Sequence, residues 1–244
     1  MADLLLFAQN LLELATLTVT SALATKPKER LVDRARGAQW EATAAAQQDL
    51  DADHGSAKAS TAIGLVNHNL AGVTIEVFRG SSFPPATSIG TFLVNADPFY
   101  ASWNSVSDRY QRVRIPAFAS APAIGELMIG VPGTVTRKPV YDGGVRRALV
   151  GNVRRRETPG GYVRKAKLGS RRVRLIYGWD RNLPDADLTT LEAAFAELDD
   201  SVKNLLVQDI GGTWRWMEFV RATLESANVS HGRHGTELEL LEAL

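Results

Sequence analysis

The chain has 244 residues, of which 45% are hydrophobic and 23% charged, with a formal net charge of +1 and no cysteine. This length allows one large domain or two of ordinary size, and the overall charge predicts no particular partner. The lack of cysteine excludes disulfides, thiolate metal sites and cysteine catalysis.

The N-terminal segment is apolar but lacks the pattern of a signal peptide or a membrane span. Asp3 lies where a signal peptide carries positive charge, and Gln9, Asn10 and Glu13 interrupt the apolar run. We therefore expect a protein that is made and used without membrane insertion. A short helix over residues 4–14 is one interpretation of this segment, which could dock on a neighbouring subunit or cover its own core.

Up to residue 130, the chain consists of short segments with strand periodicity that are separated by turn residues. Apolar and polar residues alternate in some of them, and others are continuous apolar runs typical of buried strands. The predicted strands are residues 15–23, 46–56, 60–70, 72–80, 110–118 and 123–130, with loops at 26–43 and 95–109. This pattern favours an antiparallel sandwich or jelly roll over residues 1–130.

A domain boundary is predicted at residues 130–144, which contain two prolines and four glycines. Residues 131–244 then form a second predicted domain. It begins with hairpin strands over 153–179 and continues with a helix at about 184–200, where Pro184 suits the first helical position. Strands follow the helix, so we expect a β-sandwich or α+β domain with one flanking helix.

The predicted helix has one apolar stripe. Leu188, Leu191, Phe195 and Leu198 recur at helical spacing, so this side should face a core. The fold class expected for the whole chain is therefore mainly β, with an N-terminal jelly-roll sandwich and a C-terminal sandwich that carries one helix.

The order of segments in the first half resembles the galactose-binding-like (discoidin-like) jelly roll found in tail proteins of tailed bacteriophages. The segments lie within residues 10–130 and read NLLELATLTVTSAL, LVDRARGAQWEAT, DADHGS, AIGLVNHNLAGVTIEVFRG, DRYQRVRI and AIGELMIG. In that family a strand commonly ends in Asn-His-Asn-Leu, which Asn67, His68, Asn69 and Leu70 match. One departure is Asp53-His54-Gly55, where many relatives have Asp-Leu-Gly.

The second half is similar in layout to the tail-tube-like β-sandwich of phage distal tail and baseplate proteins. The resemblance implies a non-enzymatic structural virion protein of a phage tail (distal tail, baseplate or tail tip), assembled in the host cytoplasm and needing no cofactor. The implied partners are further copies in a ring-like homo-oligomer, other tail proteins and a host surface glycan. The alternative is a carbohydrate-binding adhesin module.

Two groups of residues in the first half are candidates for glycan or partner contact. Asn67, His68 and Asn69 lie at a strand end, where they either tie neighbouring loops together or meet a ligand. Phe99, Tyr100 and Trp103 lie in the predicted loop 95–109, where exposed aromatic rings suit sugar stacking and buried ones pack on the sandwich.

Residues 131–181 carry fourteen of the 28 lysines and arginines, against three acidic residues. We expect this basic run to meet an acidic protein surface, with nucleic acid contact as the second alternative and a solvated hairpin as the third. The predicted assembly interface consists of Arg154, Arg155, Arg156, Arg164, Lys165, Lys167, Arg171, Arg172 and Arg174.

Residues typical of catalysis or metal binding are few. The chain has four histidines and neither an HExxH nor a GxSxG motif, so no catalytic residue and no metal site are predicted. Asp49, Asp51 and Asp53 alternate along one strand face. They could form a calcium-type oxygen cluster or protect an exposed sheet edge with charge.

Overall fold

A computed structural model describes residues 3–34, 37–139, 145–151, 153–157, 163–167, 172–198, 203–220, 226–230 and 233–243, and for 145, 153–157, 163–167, 180–182, 226–230 and 233 only the backbone is described. The described strands are β1 (Leu4–Phe7), β2 (Thr16–Val19), β3 (Trp40–Glu41), β4 (Gln48–His68), β5 (Thr74–Gly80), β6 (Thr87–Leu93), β7 (Phe99–Ile115), β8 (Ala123–Gly130), β9 (Gly133–Val135), β10 (Val145–Val150), β11 (Val153–Glu157), β12 (Val163–Lys167), β13 (Arg172–Pro184), β14 (Leu205–Gln208), β15 (Trp214–Phe219), β16 (Ser226–Ser230) and β17 (Arg233–Glu242). The helical elements are the α-helix α1 (Asp185–Glu197) and short 3-10 helices at Leu11–Leu14 and Lys28–Leu31.

The first sheet is antiparallel and has the order β3-β8-β4-β7-β5-β6, with β2 paired to β4. The first part of β4 pairs with β2 and with the end of β7, whereas its last part pairs with β8 and the start of β7. The long strands therefore change neighbours midway, and the sheet folds over a core that includes Trp40, Leu65 and Leu127, each at most 2% exposed. This is the jelly-roll sandwich that the sequence predicts.

Several details of the first sheet differ from the prediction, which also missed β3 and β6. The two predicted strands 46–56 and 60–70 are merged into one continuous strand, β4 (Gln48–His68), and the predicted loop 95–109 lies largely within β7. The alternation of apolar and polar residues is weak in the middle of both strands, because at the bend the side chains of residues 55–59 and of Ser102, Asn104 and Ser105 are exposed. Periodicity therefore indicated an interruption where the strand bends.

The second sheet is also antiparallel, with the order β10-β13-β17-β15-β14-β1-β9 and with β16 paired to β17. Helix α1 packs on it through Leu188, Leu191 and Leu198, which are buried, and Phe195, which is partly buried. The apolar stripe is thus confirmed, as is the expected fold class of a mainly β protein with one flanking helix. Pro184 is the N-cap residue rather than the first helical residue.

The N-terminal segment is a strand followed by a 3-10 helix, so the interpretation as a helix over 4–14 was wrong. Strand β1 pairs with β14 and β9 of the second sheet. It is apolar throughout because Leu4 and Leu6 face the hydrophobic core between the second sheet and α1, whereas Phe7 lies between the two sheets. The division of the chain at residue 130 stays a prediction, and the pairing places residues 4–7 with the later part of the chain.

The two sheets pack against each other through a shared apolar cluster, which we call the inter-sheet cluster. Its buried members are Phe7, Ala62, Val66, Met128, Leu206, Trp216 and Ala243. At its margin the rings of Tyr100 and Trp214 stack with centroids 3.9 Å apart. Gly64 allows the close approach, because a Cβ atom there would lie 2.9 Å from Leu206 Cδ2. Within the described residues, no helix is long and apolar enough to cross a membrane.

Candidate functional site

A bulge in β7 creates the most distinctive surface feature of the first sheet. Ser60 is opposite Val106 and Ala62 is opposite Ser102, so three residues of β7, Trp103 to Ser105, face the single residue Thr61 of β4. Bulges re-aim side chains and are common next to binding sites. Here the bulge carries Trp103 and Asn104 into a pocket.

The pocket has a volume of about 580 Å³ and lies between β6 and the bulged part of β7, next to the end of β5. Its lining combines aromatic and aliphatic surface with hydrogen-bonding groups, a mixture typical of small-molecule sites. The lining residues are Arg79, Ser88, Ile89, Gly90, Phe92, Ser102, Trp103, Asn104 and Val106.

The indole ring of Trp103 is held in place by its neighbours. Its Nε1 donates a hydrogen bond to the backbone oxygen of Ser60 at 3.1 Å. The ring of Phe92 packs beside it, with centroids 5.9 Å apart and planes inclined by 40°. Since Trp103 is only half-buried, one part of the ring packs on the sandwich and another remains open to the pocket.

A buried polar chain supports the residue that anchors Trp103. Ser60 is fully buried, and its Oγ accepts a hydrogen bond from Gln111 Nε2 at 2.6 Å. Gln111 is 1% exposed, and its Oε1 lies 3.1 Å from His54 Nε2. Because satisfied buried polar groups rigidify their surroundings, the ring of Trp103 is presented on a preorganised frame.

Among the described residues that line the pocket, Arg79 is the one that carries a charge. Its Nη1 donates to Asp108 Oδ2 at 2.9 Å, and its side chain is 38% exposed against 14% for Asp108. Asp108 thus orients the guanidinium from the more buried side, and Arg79 itself lines the pocket.

The three aromatic residues proposed for glycan contact lie in different places. Trp103 lines the pocket. Phe99 is only 4% exposed and lies in the hydrophobic core of the jelly roll, and Tyr100 stacks on Trp214 between the sheets. A ligand-binding role for this group stays a prediction. Sequence reasoning missed Phe92 and Arg79, since only the pairing of β5, β6 and β7 brings them to Trp103.

Asn67, His68 and Asn69 form hydrogen bonds that join loops at one end of the sandwich. The backbone N–H of Asn67 donates to Asp97 Oδ1 at 2.8 Å, and His68 Nε2 lies 3.0 Å from Ala96 O. Asn69 Nδ2 donates to the backbone oxygen of Ala121 at 2.7 Å. Burial lowers the pKa of His68, which favours the neutral ring. These contacts agree with the loop-tying interpretation, and none of the three residues lines the pocket.

The alternating aspartates form a ladder of ion pairs with arginines of β7. Arg114 binds Asp49 at 2.8 and 3.1 Å, and Arg112 binds Asp51 at 2.6 and 2.9 Å through two parallel hydrogen bonds. Both the calcium-cluster and the edge-strand interpretations were wrong, because β4 is an interior strand and its carboxylates face guanidinium groups. In the described part of the chain, no group of three or more His, Asp or Glu residues is arranged to hold a metal.

The same ladder explains the low pKa of two carboxyl groups. Burial acts to raise the pKa of Asp49, but hydrogen bonding and charge from Arg114 and Arg112 hold it below its usual value. Asp53 is paired with Arg109, and this hydrogen bond lowers its pKa to about 2. Asp49 and Asp53 are therefore ionised at neutral pH.

The basic run contributes β11 and β12, which pair with each other in a two-stranded sheet. The side chains of Arg154 to Lys167 within these strands, and Arg171, lie outside the described residues. Arg172 Nη2 donates to Glu218 Oε1 at 2.6 Å, and Arg174 pairs with Glu239. These two arginines thus have partners within their own sheet, and the assembly interface stays a prediction.

No protein family matches the chain, and no curated protein matches it. Among solved structures, it is similar to chitosan-binding module 1 from the chitosanase/glucanase of Paenibacillus sp. IK-5, with 18% identity and a TM-score of 0.44 over 50% of this chain and 99% of that one. It is also similar to CBM32-3 from a family 31 glycoside hydrolase of Clostridium perfringens, with 15% identity and a TM-score of 0.40 over 48% and 95% of the two chains. A third similar structure is CpGH89CBM32-5 of Clostridium perfringens in complex with GalNAc-beta-1,3-galactose, with 12% identity and a TM-score of 0.44 over 50% and 100%.

Proposed function

We propose that the chain binds carbohydrate in the pocket of Trp103. The observation that carries this proposal is the half-buried indole ring, fixed in the β7 bulge and facing a cavity of about 580 Å³. This volume lies within the range of small-molecule sites, and the ring is held by the backbone of a buried residue rather than by a mobile loop.

The chemistry of the lining suits a saccharide. The C–H face of a sugar ring is apolar and can pack flat on an indole, with Phe92 beside it. Sugar hydroxyl groups need both donors and acceptors, which Asn104, Ser102 and Arg79 supply around the ring. Together these groups provide one stacking platform and several directional contacts.

Calorimetric titration with defined oligosaccharides tests the proposal. The panel contains galactotriose, mannotriose, xylotriose and triacetylchitotriose as neutral sugars, and trigalacturonate and 3′-sialyllactose as acidic sugars. We expect at least one to bind, and Trp103→Ala to weaken that binding by about tenfold or more, the usual effect of removing a central aromatic anchor. Trp103→Phe should retain part of the affinity, because a smaller stacking ring remains.

Leu93→Ala is the matched control, because Leu93 is a large apolar residue on β6 that is 56% exposed and lies outside the pocket lining. Its affinity should equal that of the wild-type protein. Absence of binding to every sugar, or equal affinity of wild type and Trp103→Ala, would contradict the proposal.

We propose a structural role in a phage tail as a second function. Its support is the order of sequence segments that resembles tail proteins, together with a second antiparallel sheet that carries one packed helix. Light scattering and electron microscopy of the purified chain test it. A ring-shaped homo-oligomer is expected, and a monomer at high concentration would speak against this role.

A further inference from the structure

We infer that the pocket of Trp103 selects an acidic saccharide, whose carboxylate binds Arg79 while the sugar ring stacks on Trp103. This inference rests on the proposed carbohydrate binding and names the class of sugar. It starts from the charge of the lining, whose described residues include one arginine and neither an aspartate nor a glutamate.

The guanidinium of Arg79 is oriented by Asp108, but only one of its N–H groups is hydrogen-bonded to a described residue. Asp108 accepts one hydrogen bond, from Nη1, and the guanidinium makes no further hydrogen bond with the described residues. The edge formed by Nε and Nη2 is thus available to a ligand. Two parallel N–H donors in one plane match the two oxygens of a carboxylate, which is the strongest geometry for an arginine.

Two carboxylates near the pocket already accept hydrogen bonds from other side chains. Asp108 is bound to Arg79, and Glu76 accepts a hydrogen bond from Ser88 Oγ at 2.9 Å. Neither belongs to the lining. A neutral sugar would therefore meet few strong acceptors for its hydroxyl groups, whereas a uronic acid brings its own acceptor to the arginine.

The aromatic platform and the cation line one cavity. Trp103 and Arg79 line the same cavity of about 580 Å³, and a hexuronic acid carries its carboxylate on the ring carbon C5, directly beside the stacking face. We therefore expect one residue of an acidic polysaccharide to contact both groups, while its neighbours in the polymer leave through the open side of the cavity.

The experiment compares trigalacturonate with galactotriose, which differ in the carboxylate at each sugar, by calorimetric titration at low salt. We expect the wild-type protein to bind trigalacturonate at least about tenfold more tightly than galactotriose. Arg79→Gln should lose this preference, and Arg79→Lys should keep part of it, because lysine retains the charge without the planar pair of donors. Added NaCl should weaken the binding of trigalacturonate to the wild type more than to Arg79→Gln.

Arg109→Gln is the matched control, since Arg109 also lies in the first sheet, pairs with one aspartate and is outside the lining. It removes the same charge and should leave the preference intact. Equal affinity of the wild type for both sugars, or an equal loss in Arg79→Gln and Arg109→Gln, overturns the inference but leaves the proposed function standing. If neither sugar binds and the rest of the oligosaccharide panel fails as well, the proposed function falls, and this inference with it.

Discussion

At the scale of single residues, Glu126 has the most unusual environment among the described side chains. It has no exposed surface and accepts hydrogen bonds from the backbone N–H of Arg34 at 2.9 Å and from Asn10 Nδ2 at 3.2 Å. Burial raises its pKa to about 8, although the charge of Arg34 acts in the opposite direction. The group therefore holds its proton in the folded chain at pH values where an unfolded chain releases it.

This raised pKa predicts how stability depends on pH. Between about pH 4.5 and 8 the folded state binds more protons at Glu126 than the unfolded state, so the free energy of unfolding should fall as the pH rises through this window and level off above it. Glu126→Gln should lose this part of the slope. Urea unfolding at half-unit pH steps measures both profiles, and their difference isolates Glu126 from the histidines.

Glu29→Gln is the control for this pH series, because Glu29 is an exposed glutamate. Its profile should run parallel to that of the wild-type protein. A Glu126→Gln profile that is also parallel to the wild type would show that Glu126 has the same pKa in both states.

At the scale of elements, the ion-pair ladder connects side chains of β4 with side chains of β7. Asp51 and Arg112 are directly opposite, and their side chains are only 10% and 12% exposed. Asp51→Asn keeps the shape of the side chain but leaves the guanidinium with a neutral partner. We expect a loss of about 2 kcal/mol in the free energy of unfolding, the usual contribution of hydrogen bonds to charged groups.

The pair Asp53–Arg109 on the same two strands is the comparison, because its side chains are 31% and 45% exposed. Asp53→Asn should lower the free energy of unfolding clearly less than Asp51→Asn does, since water screens an exposed ion pair and can replace its hydrogen bonds. Urea denaturation of both variants measures the contrast. Equal losses would show that burial does not decide the strength of this ladder.

At the scale of the whole molecule, the inter-sheet cluster joins the jelly roll and the second sheet. A polar group adds to it: Arg34, which is 4% exposed, donates to the backbone oxygens of Ala8 and Asn204, each at 2.6 Å. Asn204 in turn donates to the backbone oxygen of Arg34 at 3.0 Å. Because both sheets share these contacts, we expect them to unfold in one transition.

Leu206→Ala tests this coupling. Leu206 is fully buried in the inter-sheet cluster, so its truncation should lower the free energy of unfolding by about 3 kcal/mol. In the wild-type protein, tryptophan fluorescence and far-UV circular dichroism should report the same unfolding midpoint. Leu149→Ala is the control, because Leu149 is 60% exposed and should change stability little. Separate midpoints for the two signals in the wild-type protein would show that the sheets unfold independently.

The limits of sequence reasoning are clear at Trp103. Its aromatic character singled it out as a candidate for sugar contact, and the structure places it in the pocket. The neighbours that make a site of it lie on other strands: Phe92 on β6 and Arg79 on β5. No local pattern could join them, since register between distant strands depends on the whole sheet.

The sequence alone determined the mainly β class, most strands of the jelly roll and the apolar face of α1. These features follow from periods of two and 3.6 residues, which act within a single element. The tertiary structure alone decided that β1 belongs to the second sheet, that the alternating aspartates meet arginines, and that Trp103, in the bulge of β7, lines one pocket with Arg79. Each of these depends on which strands become neighbours, and that choice minimises the free energy of the entire folded chain rather than of any one segment.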